Sequence, residues 1–338
     1  MAADKVAILG AGSVGCLIGG AWQAAGVPVS FIGRPRIAED IARHGLTISD
    51  FSGWQRHFAP GEVDYATQAD RLSEANIVAV SVKSGATADA AREILDHGAD
   101  GSLVISFQNG VSNVDVLKRE LGDRFEVVRG MVPYNIAYLG DGRFHKGVAG
   151  APLYAEDRPE LLPLAMHAAG GPAELRLSGN MLGLAWGKLL INLNNAVNAL
   201  SGRPLLEEIR DRDYRRVFAA AMREGLRLLK RARIEPGKVG PVPPRLLPYV
   251  IGSPDWLFNS IFIKGWKIDS KARSSMSDDL AHGRKTEVDY INGELVRLAE
   301  LVGAPAPVNS AIVRLVRLAE AGAEPWPPAM LRREVLGR

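Results

Sequence analysis

Residues 10 to 15 read Gly10-Ala11-Gly12-Ser13-Val14-Gly15, directly after the apolar run Val6-Ala7-Ile8-Leu9. No other feature constrains the fold as strongly. Glycines at this spacing permit a tight turn out of a buried strand, let a pyrophosphate approach the backbone, and let the next helix pack close to the strand. The free N–H groups and the dipole of that helix then face the phosphates. The context fits: a strand before, a helix-like stretch over residues 16–25, then a second strand over 27–32. Gly10, Gly12, Ser13, Val14 and Gly15 are therefore the expected contacts of a dinucleotide. The competing reading is a glycine turn of purely structural use.

An NAD-specific site has an acid about 20 residues past the glycines, on the ribose 2′-hydroxyl. This chain has Gly33-Arg34-Pro35-Arg36 there instead. A guanidinium grips a 2′-phosphate bidentately, so Arg34 points to NADP(H). Arg36 is a weaker candidate, and both could also be solvated loop charges.

At 338 residues the chain has room for two domains with cores of their own. Its 47% hydrophobic and 23% charged residues are ordinary for a globular protein. With 41 basic and 38 acidic side chains, no nucleic-acid partner is expected. The basic residues of 203–233 are interspersed with Glu207, Glu208, Asp211, Asp213 and Glu224, which reads as a solvated helical face. The single cysteine, Cys16, excludes an intrachain disulfide and fits a reducing cytoplasm, and its position implies packing. Residues 6–33 carry no charge, but seven glycines and Pro28 make them a poor membrane span. A buried strand–turn–helix–strand explains the same apolarity. The six histidines are scattered, and no metal site is expected.

The first half alternates strands and helices. Strands are expected over 46–49, 55–58, 77–82, 102–106 and 126–130, and helices over 37–43, 87–95 and 114–120. This alternation implies a doubly wound parallel sheet whose ligand lies beyond the carboxyl ends of its strands. Gly10–Gly15, Arg34, Lys83 and Asn109 all fall there. Residues 144–177 read as β-rich edge material with a helix near 161–169. Beyond about residue 180, long helices are expected over 184–200, 213–232, 274–302 and 306–319. Residues 235–266, rich in proline and aromatics, read as an irregular excursion. The expected architecture is thus an α/β, Rossmann-type domain over 1–179 and an all-helical domain over 180–338.

Two helical stretches are unusually polar. Lys188 and Asn192 stand four apart, with Asn195 three further along the same stripe. A lysine beside asparagines among leucines is costly to bury without a purpose; the alternatives are an interhelical network or a lysine reaching the surface. In the second stretch Ser275, Asp279 and Glu287 recur near one helix face, and Asp279 with Arg284 could equally form structural ion pairs.

At these residues the chain resembles the ketopantoate reductase (2-dehydropantoate 2-reductase) family. The resemblance spans nearly the whole chain. It rests on the glycine turn, the arginine after the second strand, Val82-Lys83, Gln108-Asn109-Gly110, the K-L-L-x-N of Lys188 to Asn192, and the S-S-M…D…R-x-T-E-V-D-x-x-N-G pattern of Ser274 to Gly293. It implies NADPH-dependent reduction of 2-dehydropantoate to (R)-pantoate, on the route to pantothenate and coenzyme A. Lys188 matches the family's general acid, and Glu287 matches a glutamate that polarises and orients. Lys83, Asn109, Asn192 and Ser275 match contacts of substrate or cofactor. The chemistry agrees: hydride reaching a carbonyl carbon builds charge on oxygen, and a nearby ammonium stabilises that charge and donates the proton.

Two positions depart from the family. Many members carry a second asparagine eight residues after the lysine, where this chain has Ala196, with Asn195 one short. Some carry an asparagine where this chain has Ala272. Both bear on the substrate pocket. The alternatives are therefore a paralogous reductase of another 2-oxo acid, or a non-catalytic NADPH-binding sensor. A homodimer through the helical half is a further expectation.

Overall fold

The computed structural model of the chain describes residues 4–148, 150–262 and 272–337. The chain forms two compact units, Met1–Met181 and Leu182–Arg338.

The first unit carries twelve strands: β1 (Val6–Leu9), β2 (Val29–Ile32), β3 (Leu46–Asp50), β4 (Gln55–Phe58), β5 (Asp64–Ala66), β6 (Ile77–Val80), β7 (Leu103–Ser106), β8 (Glu126–Met131), β9 (Ile136–Tyr138), β10 (Arg143–Lys146), β11 (Leu153–Glu156) and β12 (Leu175–Ser178). Eight of them form one sheet in the order β12-β11-β8-β7-β6-β1-β2-β5. Pairing is parallel from β5 through to β8, and β11 joins β8 antiparallel. β1 is buried on both faces, which is why it reads as a continuous apolar run. It sends Val6 and Ile8 into one core cluster, with Trp22 and Phe31. Ala7 and Leu9 enter the other, with Leu72, Ile94 and Leu117. The alternation is that of a strand between two helical layers.

Register decides where the functional loops meet. Leu9 pairs with Ile32 and with Val80, and Val80 pairs with Ser106. The turns after β1, β2, β6 and β7 consequently leave one edge of the sheet together. The remaining strands form a second, four-stranded sheet, β4-β3-β10-β9. The sequence places those strands singly and does not foresee a separate sheet, because β3 and β10 pair residues 96 positions apart in the chain, as in Ser49 with His145.

The second unit is helical among the described residues. Helix Arg212–Arg231 packs against its neighbours at Gly225, where an added Cβ would lie 2.8 Å from Leu190 and 2.9 Å from Leu295. Two helices expected to be continuous are interrupted. The stretch 184–200 divides into Met181–Asn192 and Asn194–Ser201, with a break at Leu193. There the buried Asn194 turns its amide to Glu208, 3.0 Å away. The stretch 274–302 divides into Ser275–Ala281, a short turn Val288–Tyr290, and Asn292–Leu301. Arg284 folds back onto Asp279 with both its backbone N–H and its guanidinium, and Gly283 takes φ +62°. Glu287 therefore stands outside the helix that bears Ser275 and Asp279.

The solvated face expected over 203–233 also needs correction. Arg215 is completely buried and Glu224 nearly so. Of the excursion over 235–266, residues 263–266 lie outside the described residues; the rest includes the short helices Leu247–Ile251 and Asp255–Leu257, with Tyr249 and Trp256 exposed. No described helix is long and apolar enough to cross a membrane.

Candidate active site

In the first unit, the turn after β1 is fitted closely to the turn after β6. Gly10 has φ +91°, and an added Cβ would lie 2.5 Å from the backbone nitrogen of Val82. Only glycine tolerates both conditions. Tyr65 donates its hydroxyl to Ala11 O at 2.7 Å and Ser81 donates to Gly10 O at 3.0 Å, bracing the turn from two sides. The other face is open: a Cβ on Gly12 would meet nothing nearer than Arg34 Nη2 and Gly10 O, each at 3.9 Å. Helix Ser13–Ala24 starts with no side-chain cap and no acid in its first turn. Its N-terminal partial charge is thus available to an anion, with the exposed Arg34 guanidinium beside it. Ser13 and Val14 are part-exposed at this end, and Gly15 is buried beneath.

Arg36 is engaged elsewhere. Its guanidinium lies 5.2 Å from the Tyr138 ring centroid and 3.9 Å from Asp40. Cys16 is fully buried, its Sγ 3.4 Å from Ala11 O, and burial pushes its thiol far above the usual range.

Lys83 and Asn109 sit in the turns after β6 and β7, and a buried polar network ties these turns together. Gln108 Nε2 donates to Val82 O at 3.2 Å and to Thr87 Oγ1 at 2.8 Å. Thr87 Oγ1 lies 2.8 Å from both Ser84 O and Asn113 Oδ1, with one proton to share. Asn113 Nδ2 donates to Ser84 Oγ and Asn109 O. Thr87 and Asn113 are buried, Asn109 is part-exposed, and Lys83 reaches solvent. Composition and spacing do not reveal this network; a run of amide and hydroxyl residues among apolar ones was its only trace.

In the second unit, Lys188 lies on helix Met181–Asn192. The preceding Gly187 allows residue 237 to cross the helix: a Cβ there would fall 2.0 Å from Gly237 O. Burial lowers the Lys188 ammonium from its ordinary value to about 8, and the negative charge of Glu287 acts in the opposite direction. This coupling brings together two residues 99 positions apart in the chain, one on a helix and one on a loop. Glu287 is itself 8% exposed. Its predecessor Thr286 donates through both N–H (2.8 Å) and hydroxyl (2.7 Å) to Glu320 Oε1, which anchors the loop.

Asn192 ends the lysine-bearing helix, and Asn195 lies beyond the break at Leu193; both are part-exposed. The carbonyl of Asn195 accepts the Ser274 hydroxyl at 3.0 Å. Ser274 Oγ in turn accepts Ser277 N–H at 3.1 Å, capping the helix on which Ser275 is the exposed first residue. Buried Asn198 accepts the Ser274 N–H at 2.9 Å. Ala196 is fully buried and Ala272 partly so, its carbonyl taken by Leu205 N–H at 2.8 Å. Among the described residues no cluster of histidine, cysteine and acids could hold a metal ion.

Comparison with known proteins places these features in one family. Two family models match the chain: Ketopantoate reductase PanE/ApbA over residues 6–156 and Ketopantoate reductase PanE/ApbA C terminal over 180–320. The chain is 27% identical to the 2-dehydropantoate 2-reductase of Pyrococcus horikoshii over 325 residues, covering 94% of this chain and 97% of that one. A PanE/ApbA family ketopantoate reductase from Ralstonia eutropha is 30% identical with a TM-score of 0.78, covering 94% of this chain and 98% of that one. A D-mandelate dehydrogenase solved with NADH and anilino(oxo)acetate shares the fold at 19% identity and a TM-score of 0.74, covering 94% and 98%. The chain belongs to the ketopantoate reductase family of nicotinamide-dependent oxidoreductases.

Proposed function

We propose that the protein reduces 2-dehydropantoate to (R)-pantoate with NADPH, in the supply of pantothenate and coenzyme A, with Lys188 as the general acid. The observation that carries the reading is the part-exposed Lys188 set in its helix with Glu287 acting on it, and desolvation lowers its ammonium to about 8. A general acid works best with a pKa near the operating pH. A binding module has no use for an ammonium tuned in this way.

The residues fit a dinucleotide phosphate. The uncapped helix behind Gly12, Ser13, Val14 and Gly15 suits the pyrophosphate, and Arg34 beside Gly12 suits the 2′-phosphate. Lys83 and Asn109, fixed by the network around Asn113, hold the cofactor, with Asn109 also reaching the substrate. When bound, the reduced nicotinamide supplies the hydride. As charge builds on the carbonyl oxygen, Lys188 Nζ donates its proton and Glu287 orients the ammonium and contacts the cofactor. Asn192, Asn195 and Ser275 take the carboxylate and hydroxyl groups of the substrate.

A second reading, reduction of a different 2-oxo acid, draws on Ala196 and Ala272 and on the likeness to a D-mandelate dehydrogenase. Oxidation of NADPH followed at its absorbance band, with 2-dehydropantoate against a panel of 2-oxo acids, decides between them. The highest kcat/KM with 2-dehydropantoate supports the first reading; a preference for an aromatic or simple branched oxo acid sinks it. No turnover with any oxo acid, despite NADPH binding, would leave only a sensor. A homodimer belongs to the same proposal. It draws on the exposed Tyr249 and Trp256 of the helical unit, and a monomeric sedimentation coefficient would refute it.

A further inference from the structure

Glu208, on helix Leu205–Arg210, is fully buried and has no role in the reaction above. Asn194 Nδ2 donates to its Oε2 at 3.0 Å. The two oxygens left over, Asn194 Oδ1 and Glu208 Oε1, are both buried without a hydrogen-bond partner. Two buried acceptors left without a donor, on side chains already joined by one hydrogen bond, are costly if the carboxyl is ionised. One proton on Oε1 removes both deficits, because the O–H donates to the amide oxygen while the amide N–H donates to Oε2.

The one cation that acts on Glu208 among the described residues, Arg215, makes none of its hydrogen bonds to the carboxyl. Arg215 is the charged neighbour on the adjoining helix, but its five donors are spent: Nε on Ile251 O, Nη1 on Ile209 O and Arg210 O, Nη2 on Ser253 O and Asp255 Oδ1. Asp211 adds negative charge, the Asn198 amide pulls the other way as a donor towards the carboxyl, and Tyr214 completes the polar surroundings.

We propose that Glu208 is a neutral carboxylic acid in the folded protein, joined to Asn194 in a cyclic acid–amide pair that positions the start of helix Asn194–Ser201. The proton is taken from solvent on folding. Two hydrogen bonds carry this position onward: Asn195 O and Asn198 Oδ1 hold Ser274, the cap of the helix bearing Ser275. Glu208 is thus a positioning residue for Asn195 and Ser275. That kinetic consequence rests on the substrate contacts proposed above, whereas the state of Glu208 itself does not.

Burial raises the Glu208 carboxyl from its ordinary 4.5 to about 8, against opposing pulls from Asn194, Asn198 and Arg215. The folded chain then keeps a proton through that window that the unfolded chain has lost. Stability attached to Glu208 is full below pH 4.5 and declines as pH rises towards about 8. Glu208→Gln reproduces the neutral pair, its Nε2–H replacing the acid O–H. The experiment is thermal unfolding of wild type, E208Q and E208A across this pH range, together with the infrared carbonyl band of a protonated carboxyl. The expected result is that E208Q unfolds no earlier than wild type, lacks part of the decline with pH, and lacks that band. E208A raises KM for the oxo acid by about tenfold or more with little change in kcat, and E208Q restores it. An E208Q protein that is less stable than wild type at neutral pH, or that keeps the full pH decline and the band, overturns the proposal. If the stability results hold but KM is unmoved in E208A, the acid–amide pair stands and its link to the substrate contacts falls.

Discussion

Lys188 and Arg34 carry the two sharpest consequences at the scale of single residues. In the proposed mechanism, removing the ammonium removes both the proton donor and the charge that stabilises the forming alkoxide. Lys188→Ala is expected to lower kcat by about 10²–10⁴ with the fold intact, and a loss under about fivefold would remove it from the role of acid. The acid acts in its protonated form, and Lys188 is held at about 8. Turnover in the reducing direction should therefore be level below that pH and fall about tenfold per unit above it. A profile flat to pH 10 contradicts this. Arg34 stands beside the glycine turn, 3.9 Å from where a Cβ on Gly12 would be. Arg34→Ala should cost about 1.5–3 kcal/mol of NADPH affinity, the range for a charge-assisted hydrogen bond, and hardly alter NADH binding. Equal losses for the two cofactors refute the 2′-phosphate assignment. Arg34 and Lys188 stand out in the sequence because each is a charge where a neighbouring motif leads one to look. Glu208, Arg215 and Glu224 do not, because a charge on an amphipathic stretch reads as solvated until its partners are known.

At the scale of elements, turns and helix ends matter more than the elements they join. The turns bearing Lys83 and Asn109 are locked by Gln108, Thr87 and Asn113. Asn113→Ala withdraws one of two donors from the Asn109 carbonyl and one of two acceptors from Thr87, each a net loss of about 0.5–1.5 kcal/mol. Both the melting temperature and cofactor affinity should fall in this variant. A variant that melts early but binds NADPH normally would make the network structural alone. The helical half shows what local pattern leaves out. Periodicity predicts one helix through Leu193 and another from Ser274 to Val302. The chain breaks both where polar side chains find partners off their own helix turn: buried Asn194 with Glu208, exposed Arg284 with buried Asp279, and part-buried Thr286 with Glu320. The result is that Lys188 and Glu287 interact from separate elements.

For the molecule as a whole, the glycine turn and the buried strands around it form the interior of the first unit. Cys16 is part of that interior, with no exposed surface. Its reaction with a thiol reagent should be negligible in the native state and complete on unfolding, giving a report on the opening of this unit. Stoichiometric labelling of native protein would show that the core is looser than described. The class of fold and the family were legible in the sequence alone, which also supplied the proposals for the dinucleotide turn, for Arg34 and for the candidate site residues. Each of these is a local matter of strand burial on both faces, glycine spacing, or a charged side chain at a strand end. The second sheet, the breaks in the helices, the coupling of Lys188 to Glu287 and the burial of Glu208 emerge only in three dimensions. These depend on which polar groups meet after the chain has crossed itself. Periodicity records how much of a helix is buried, but not which partner satisfies a donor once it is inside.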